Sequence, residues 1–441
     1  MSGNGKRNHG VAIIGAGLAG LTAANYLDKL KVPFILFESG PRIAGMAASF
    51  SDKDGFSYDF GAHFITNRLA AAIGIADECL PVRHYGEMVW IEGRSHSYPF
   101  GLILLPRMSA SAVKGRLFGS ISSAPTAADH FRKNYGHAMA NEVALPLIEA
   151  WSGAGAEELS AAVGDSLPTS IPKTLYLKAA SRFLGRAIAC GYSRDQKESA
   201  SVWHVYPKNG VSTLCEKLAE GVHDRIRLNS PVESIHVEDG RAVAVEANGK
   251  RFPISAVVST APANVLARLV KGTDRMRHLE KFKFRPMIFL NLKFEGRGLL
   301  PDTVLWFPEK KYPFFRLTEA PLSMPWLAPK GKTIITVDIG CQKGDDYWGM
   351  DEQRLVSLCL KAISDVIPNA ESSFLGHNVL RTAFSYPVFL NEYEEERRQF
   401  EKTSSIENVL SIGRNGEFAH IFMEDVYWRT RKKVRSMLGS L

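Results

Sequence analysis

A chain of 441 residues is too long for one compact core and suits two interleaved domains. With 45% hydrophobic and 23% charged residues, and no stretch near the roughly 20 apolar residues of a spanning helix, it reads as a folded protein that is soluble or peripheral, which excludes an integral membrane protein. The net charge of +8 (54 Lys and Arg against 46 Asp and Glu) favours anionic partners, nucleotide phosphates, acidic substrates or lipid head groups; nucleic acid is the weakest of these and is not expected, because no basic block interleaved with aromatics occurs and the charge is scattered.

In chain order, Met1–Gly10 is polar and leads into a short buried strand, Val11–Ile14. A glycine turn, Gly15–Gly20, and a helical pattern through Leu30 follow, then a second buried strand, Phe34–Phe37. This β-turn-α-β unit requires a parallel sheet and a right-handed crossover. The chain is loop-rich from Glu38 to Phe60. Residues from about Leu69 to Ser201 read as largely helical, with loops at Tyr98–Pro106 and Ser120–Thr126. Strands return at Ile226–Leu228, Val232–Val237, Ala242–Glu246 and Ala256–Thr260, with hairpin signals at Asp239-Gly240 and Asn248-Gly249. Met287–Phe294, Val304–Phe307 and Thr333–Ile339 suggest a second, mixed sheet. Helix resumes at Glu352–Val366, and the chain closes with strand Val409–Ile412 and a basic helix. The five cysteines show no CxxC spacing, so neither a zinc site nor a disulfide framework is expected, no metal is expected, and a reducing, cytoplasmic compartment is the better reading.

Gly15-Ala16-Gly17-Leu18-Ala19-Gly20 matches the dinucleotide pattern G-x-G-x-x-G in its required setting, strand before and helix after. Gly15 allows the tight turn, Gly17 lets backbone approach a pyrophosphate, and Gly20 allows close helix–sheet packing; the helix N-terminus adds donors and a positive dipole. Glu38 ends the second strand where a carboxylate accepts both ribose hydroxyls and disfavours a 2′-phosphate, which argues against NADP. The bland alternative is a glycine-rich turn without ligand, and the strand, helix and acid together weigh against it.

The continuation Ser39-Gly40-Pro41-Arg42-Ile43-Ala44-Gly45-Met46-Ala47-Ala48-Ser49 resembles the second signature of glutathione-reductase-type FAD enzymes. Tyr58-Asp59-Phe60-Gly61-Ala62-His63-Phe64-Ile65-Thr66, Trp151–Ser160, Tyr206–Val211, Ser385-Tyr386-Pro387-Val388 and Ser411–Gly416 follow in order. Over nearly the full length, this series resembles the FAD-dependent oxidoreductases of the protoporphyrinogen oxidase, amine oxidase and phytoene desaturase superfamily. It is most similar to the branch holding protoporphyrinogen-oxidase-like proteins and UDP-galactopyranose mutases.

The resemblance implies an α/β fold: a glutathione-reductase-type FAD-binding Rossmann-like domain (1–68, 200–275 and 405–441) with an interleaved substrate domain (69–199 and 276–404) of mixed sheet and helices. It also implies FAD held by Gly15 to Gly20, Glu38, Ser39, Arg42, Gly45, Met46 and Ala47. Gly61, Ala62, His63 and Phe64 would lie beside the flavin ring, Val232 at the adenine and Thr260 near the cofactor. Gly413 and Arg414 would lie at the phosphates and ribitol, and Glu424 and Asp425 at the start of the last helix. Two departures stand out: Met46 replaces the arginine of monoamine oxidases, and Ile421 and Phe422 replace the amides that relatives carry before that helix.

His63 and Tyr386 are the catalytic candidates, although a histidine bonded to a buried loop is the bland reading of the first. Trp203 and Tyr206 could wall the cleft, Arg285, Arg316 and Lys208 could bind an anion, and Tyr312 could donate to substrate oxygen; core packing or solvation is the alternative for each. The expected activity is oxidation or desaturation of a small molecule by hydride transfer to flavin N5. The substrate could be anionic, as a sugar nucleotide or carboxylate, or lipid, and peripheral membrane contact stays open. A mutase-like redox-neutral isomerase of a sugar nucleotide and a non-catalytic flavoprotein are the alternatives.

Overall fold

The computed structural model describes residues 9–98, 100–118, 125–166, 171–402 and 405–439. The opening through Asn8, Pro99 and most of the loop at 120–126 named above lie outside them.

β1 (Val11–Ile14) is a run of four buried residues between Gly10 and Gly15, and β2 (Phe34–Phe37) pairs with it in parallel, Val11 opposite Phe34 and Ile14 opposite Phe37. α1 (Leu18–Lys29) makes the crossover. These strands belong to a five-stranded parallel sheet in the order Ile226–Arg227, β2, β1, Ala256–Ser259, Val409–Ser411, so its strands come from the start, middle and end of the sequence. Strands buried on both faces read as continuous apolar runs, and alternate residues here enter different cores. Val11 and Ile13 pack with Leu21 and Leu27 of α1 and with Val434 of the last helix, Met423–Leu438. Ala12 and Ile14 pack instead with Ile235 and Val245 of an antiparallel meander, Val232–Glu238, Arg241–Ala247 and Lys250–Pro253. Both meander turns use the expected pairs with positive φ: Asp239 at 50° and Gly240 at 78°, Asn248 at 50° and Gly249 at 66°.

A second large sheet is seven-stranded and mixed. Its order is Phe374–Val388, Lys283–Glu295, Lys332–Gly340, Arg316–Thr318, Val304–Trp306, Glu87–Ile91, Arg94–Ser97. Along Lys283–Glu295, Ile288, Leu290 and Leu292 turn towards the helix Glu352–Ile363, while Met287 and Phe289 enter the opposite cluster with Val143 and Leu147.

The stretch 69–201 departs from a largely helical expectation. Cys79–Pro81, Glu87–Ile91 and Arg94–Ser97 are strands, the last two a hairpin closed by Glu92 and Gly93 at φ 53° and 75°. The fifteen-residue strand Phe374–Val388 was not expected at all. No described helix is long and apolar enough to cross a membrane.

Candidate active site and cofactor cradle

The glycine turn is built as its spacing requires. Gly15 has φ 96°, and a Cβ there would overlap the Thr260 hydroxyl, which donates to the Ile14 carbonyl at 2.9 Å. A Cβ on Gly20 would overlap the Gly15 carbonyl oxygen, so this glycine lets α1 sit on its own turn. Gly17 differs: at φ −77° it caps α1 without any side-chain bond, and an added Cβ would meet only the Ala44 carbonyl oxygen at 3.9 Å. Open space lies over a helix N-terminus whose donors lack a side-chain cap, the setting an anionic pyrophosphate needs.

Three distant segments converge on that point. Ala44, held in the left-handed region at φ 84°, donates its N–H to the Ala16 carbonyl at 2.8 Å, and an added Cβ on the following Gly45 would lie 3.4 Å from Gly17 Cα. Ala47 donates back to the Ala44 carbonyl at 2.9 Å and closes this turn. A Cβ on Gly413 would lie 3.0 Å from the Ala19 methyl. Glu38 accepts from Ala16 N–H at 2.7 Å, Gly40 N–H at 2.8 Å and the Ser39 hydroxyl at 3.2 Å. Asn229 and Ser230 donate to the carbonyls of Gly40 and Glu38 at 2.9 and 2.8 Å, with Ser230 two residues before Val232. Arg42 is exposed, with its guanidinium 4.2 Å from the Phe50 ring centre.

Beside this cradle opens a cavity of about 980 Å³, lined by Met46 next to Gly45, by Ala62, His63 and Phe64, and by Tyr386 and Arg414. The turn 61–64 and the turn at 413–414 therefore share one space. Gly61 (φ 83°) stands just behind, where a Cβ would come within 2.9 Å of Phe289. His63 Nδ1 is buried without a hydrogen bond, 3.6 Å from Asp59, whose carboxylate already accepts from Tyr206 and Ser49 at 2.6 Å each. Arg414 donates through Nε to the Ile421 carbonyl at 3.0 Å, lies 5.6 Å from the Tyr386 ring centre, and has no carboxylate partner among the described residues. Asn415 fastens this turn to the strand carrying Tyr386 by donating to the Phe384 carbonyl at 2.8 Å.

Aromatic rings make up much of the remaining wall. Trp151 packs edge-on to Tyr386 (5.2 Å) and against His420 (5.0 Å), and Tyr192 against His204 (4.2 Å). Burial pushes His204 and His420 each down to about 3, with Arg414 and Arg194 adding to the effect on His420, so both rings are neutral at ordinary pH. Glu87 accepts from Tyr85 at 2.6 Å and Trp306 at 2.9 Å. Arg316 reaches the cavity from its strand and pairs with Asp338 directly across the sheet. Although burial opposes it, the Asp338 carboxylate holds that guanidinium charged.

Other candidates are bonded away or lie elsewhere. Glu424 lines the cavity but pairs with Arg68 (2.5 and 3.1 Å), and Asp425 accepts from Ser193 and from the backbone of Arg194 and Asp195, so both carboxylates brace the last helix. Tyr206 is fully buried on Asp59, and Tyr312 donates to Asp365 at 2.8 Å inside a core. Arg285 is buried and bonds the Ala150 carbonyl, Trp203 lies under Arg186, and Lys208 is exposed; none of the three lines the cavity. Sequence reasoning missed Tyr85, Glu87 and Asp338, and had Trp151 only as the start of a motif without a role in the cavity. For Asp338 a signal existed, a lone acid inside the apolar strand Lys332–Gly340.

The model of the family described as flavin containing amine oxidoreductase matches residues 18–413. The chain is 21% identical over 400 residues to coproporphyrinogen III oxidase of Bacillus subtilis (strain 168), covering 81% of this chain and 83% of that protein. It is 22% identical over 327 residues to protoporphyrinogen oxidase of Bos taurus, covering 66% and 68%. A crystal structure of reduced UDP-galactopyranose mutase superposes with a TM-score of 0.79 over 98% of this chain and 96% of the other, at 17% identity, a likeness of fold. With the cradle, the cavity and a family match across most of its length, the chain belongs to the flavin-containing amine oxidoreductases and is an FAD-dependent oxidoreductase.

Proposed function

We propose that the protein oxidises or desaturates an apolar, ring- or polyene-like small molecule held in the 980 Å³ cavity. The carrying observation is that lining: aromatic and aliphatic side chains fill most of the wall, three polar groups, His63, Tyr386 and Arg414, stand together in it, and others such as Glu87, Lys178 and Glu424 are spread round the rest. An apolar enclosure with a few convergent polar groups is the form of a small-molecule site. Names of relatives agree with this reading, since coproporphyrinogen and protoporphyrinogen oxidases are among them.

In this reading residues 1–68, 200–275 and 405–441 form the FAD-binding domain and 69–199 with 276–404 the substrate domain. Backbone N–H groups at Gly17 to Ala19 hold the pyrophosphate, Glu38 the adenosine ribose, and Val232 the adenine. Gly45, Met46 and Gly61 to Phe64 border the ring. Bound FAD supplies the hydride acceptor, its N5. Tyr386, set edge-on by Trp151, orients the substrate against that ring. His63 takes the proton that leaves with the hydride, and the Asp59 carboxylate lies 3.6 Å from its Nδ1. Arg414 adds positive charge at the cradle end, and the aromatic wall excludes water.

The redox-neutral mutase reading is weaker at this cavity, because Arg316 is neutralised by Asp338 and so offers little to a pyrophosphate. Anaerobic mixing of the oxidised holoenzyme with porphyrinogens, polyenes, amines and UDP-sugars, followed by flavin absorbance, tests the proposal. Bleaching by an apolar substrate supports it. Isomerisation of a UDP-sugar only after dithionite would replace it with the mutase, and silence towards every class would favour a non-catalytic flavoprotein.

A further inference from the structure

A second, much smaller cavity of about 20 Å³ lies at the turn 61–64. Asp59, Gly61 and His63 line it from the turn, Thr318 and Thr336 from the seven-stranded sheet. Among its described lining residues only Ala62 and His63 also line the 980 Å³ cavity, so this histidine borders both spaces. The sheet brings hydroxyl groups here for a reason of register. Side chains two residues apart on a strand share a face, and so do residues directly opposite on neighbouring strands. Arg316 and Thr318 therefore point the same way, as do their partners Asp338 and Thr336. Arg316, held by Asp338, reaches the large cavity; Thr318 and Thr336 reach the small one.

Two polar atoms of residues at the small cavity have no hydrogen-bond partner among the described residues. Thr318 is 1% exposed and its Oγ1 is unpaired, as is the buried Nδ1 of His63. The Thr336 hydroxyl, by contrast, donates to Asn291 at 2.7 Å. Asp59 accepts from Tyr206 and Ser49 and still has lone pairs to offer, since a carboxylate has about four acceptor sites. At 3.6 Å from Nδ1 it is too far for a direct bond. Buried polar groups left unsatisfied are costly and rare. A cavity of this size suits one water, which needs roughly 10–15 Å³ and about two to four polar partners.

We propose that one buried water occupies this cavity, bridging His63 Nδ1, the Thr318 hydroxyl and the Asp59 carboxylate, and that it fixes the tautomer in which Nδ1 carries the proton. The inference rests on the reading of His63 as the proton acceptor and deepens it. A neutral imidazole has one N–H, and the bond made by that nitrogen decides which end stays a base. The negative carboxylate favours the N–H that points towards it, and the water carries this preference across the 3.6 Å gap. It accepts from Nδ1 and donates to Asp59 and to the Thr318 oxygen. Nε2 then keeps its lone pair for the substrate. Thr318 does not line the large cavity, so it is a positioning residue that acts through the water.

Long-range proton–nitrogen NMR spectra of the holoenzyme labelled with ¹⁵N-histidine read the tautomer, with His63→Asn identifying the signal, and a crystal structure reads the water. The parent should carry the His63 proton on Nδ1 and hold a water within hydrogen-bond distance of Nδ1 and Thr318 Oγ1. Thr318→Val keeps the side chain's shape and removes the hydroxyl. It should displace the water, mix the two tautomers and slow flavin reduction on the order of tenfold with KM unchanged, a fraction of the roughly 10²–10⁴-fold that a lost general base costs. Thr318→Ser should restore all three readouts, and flavin content should stay parental in both variants. A proton on Nε2 in the parent, a dry cavity, or a Thr318→Val protein with the parent's tautomer would overturn the proposal. Tautomer and water are read without substrate, so failure here is distinct from failure of the oxidase reading, in which no substrate bleaches the flavin.

Discussion

Gly17→Ala separates the cofactor from the fold. Gly17 has φ −77°, open to any residue, and the added methyl would have one neighbour within 4 Å, the Ala44 carbonyl oxygen at 3.9 Å. Alanine is a poorer N-cap than glycine by about 1 kcal/mol or less, and the stiffer unfolded chain returns about 0.4–1 kcal/mol. The FAD-free protein should therefore keep its stability within about 0.5 kcal/mol and melt within about 2 °C of the parent. FAD should suffer much more, because the methyl occupies the space through which a pyrophosphate reaches the N–H groups of α1. Losing one or two charge-assisted hydrogen bonds at roughly 1.5–3 kcal/mol each weakens binding between about tenfold and about 10⁴-fold. Flavin-to-protein ratio after purification, titration of the apoprotein with FAD, and thermal melts of the apoprotein measure the two effects. Parental FAD affinity with unchanged stability would refute the cradle. Gly20→Ala is the contrast: its methyl would overlap the Gly15 carbonyl, so the fold itself should fail.

Glu38→Ala should weaken FAD by roughly 1.5–3 kcal/mol for the lost ribose contact; unchanged titration with FAD would remove the acid from the site. His63→Ala should alter the flavin spectrum and turnover yet leave FAD bound, whereas Arg414→Ala should loosen FAD, and the reverse outcome would place the ring at the wrong end. For acid stability, His204 and His420 are each held near 3 in the folded state, below an unfolded value of about 6.5. Between those values the unfolded chain binds protons that the folded one refuses. Their contribution is thus complete above about pH 6.5 and falls by about 1.4 kcal/mol per pH unit per histidine below it, towards pH 3. Urea melts of the parent and of His204→Gln should show the variant less sensitive between about pH 6 and 5; equal slopes would contradict the burial.

The parallel sheet was legible because β1 and β2 are buried on both faces and read as unbroken apolar runs ended by glycine or a carboxylate. Asp239-Gly240 and Asn248-Gly249 announced their turns for a local reason, both members taking positive φ. Phe374–Val388 escaped notice because His377, Asn378, Arg381 and Thr382 break its alternation; the strand is half-buried along most of its length and held by its pairing with Lys283–Glu295. Within the site, glycines and the motif histidine were legible because turns dictate them. Trp151 matters through Tyr386 and His420, more than two hundred residues away, and Asp338 through its cross-strand partner Arg316; Tyr312 was misplaced because its bonds to Trp90 and Asp365 are long-range.

The sheet's connectivity also sets a timetable for assembly. β1 has on one side a neighbour 23 residues later, but on the other Ala256, opposite Val11, and beyond it Val409, opposite Val257. At roughly 5–20 residues made per second, the glycine turn waits on the order of ten seconds or more for its second neighbour and longer for the last. Gly413, which packs on α1, and Arg414 arrive later still. A nascent chain can therefore display the fingerprint long before it can grip a dinucleotide. On the proposed cradle, cofactor capture would belong to the end of folding.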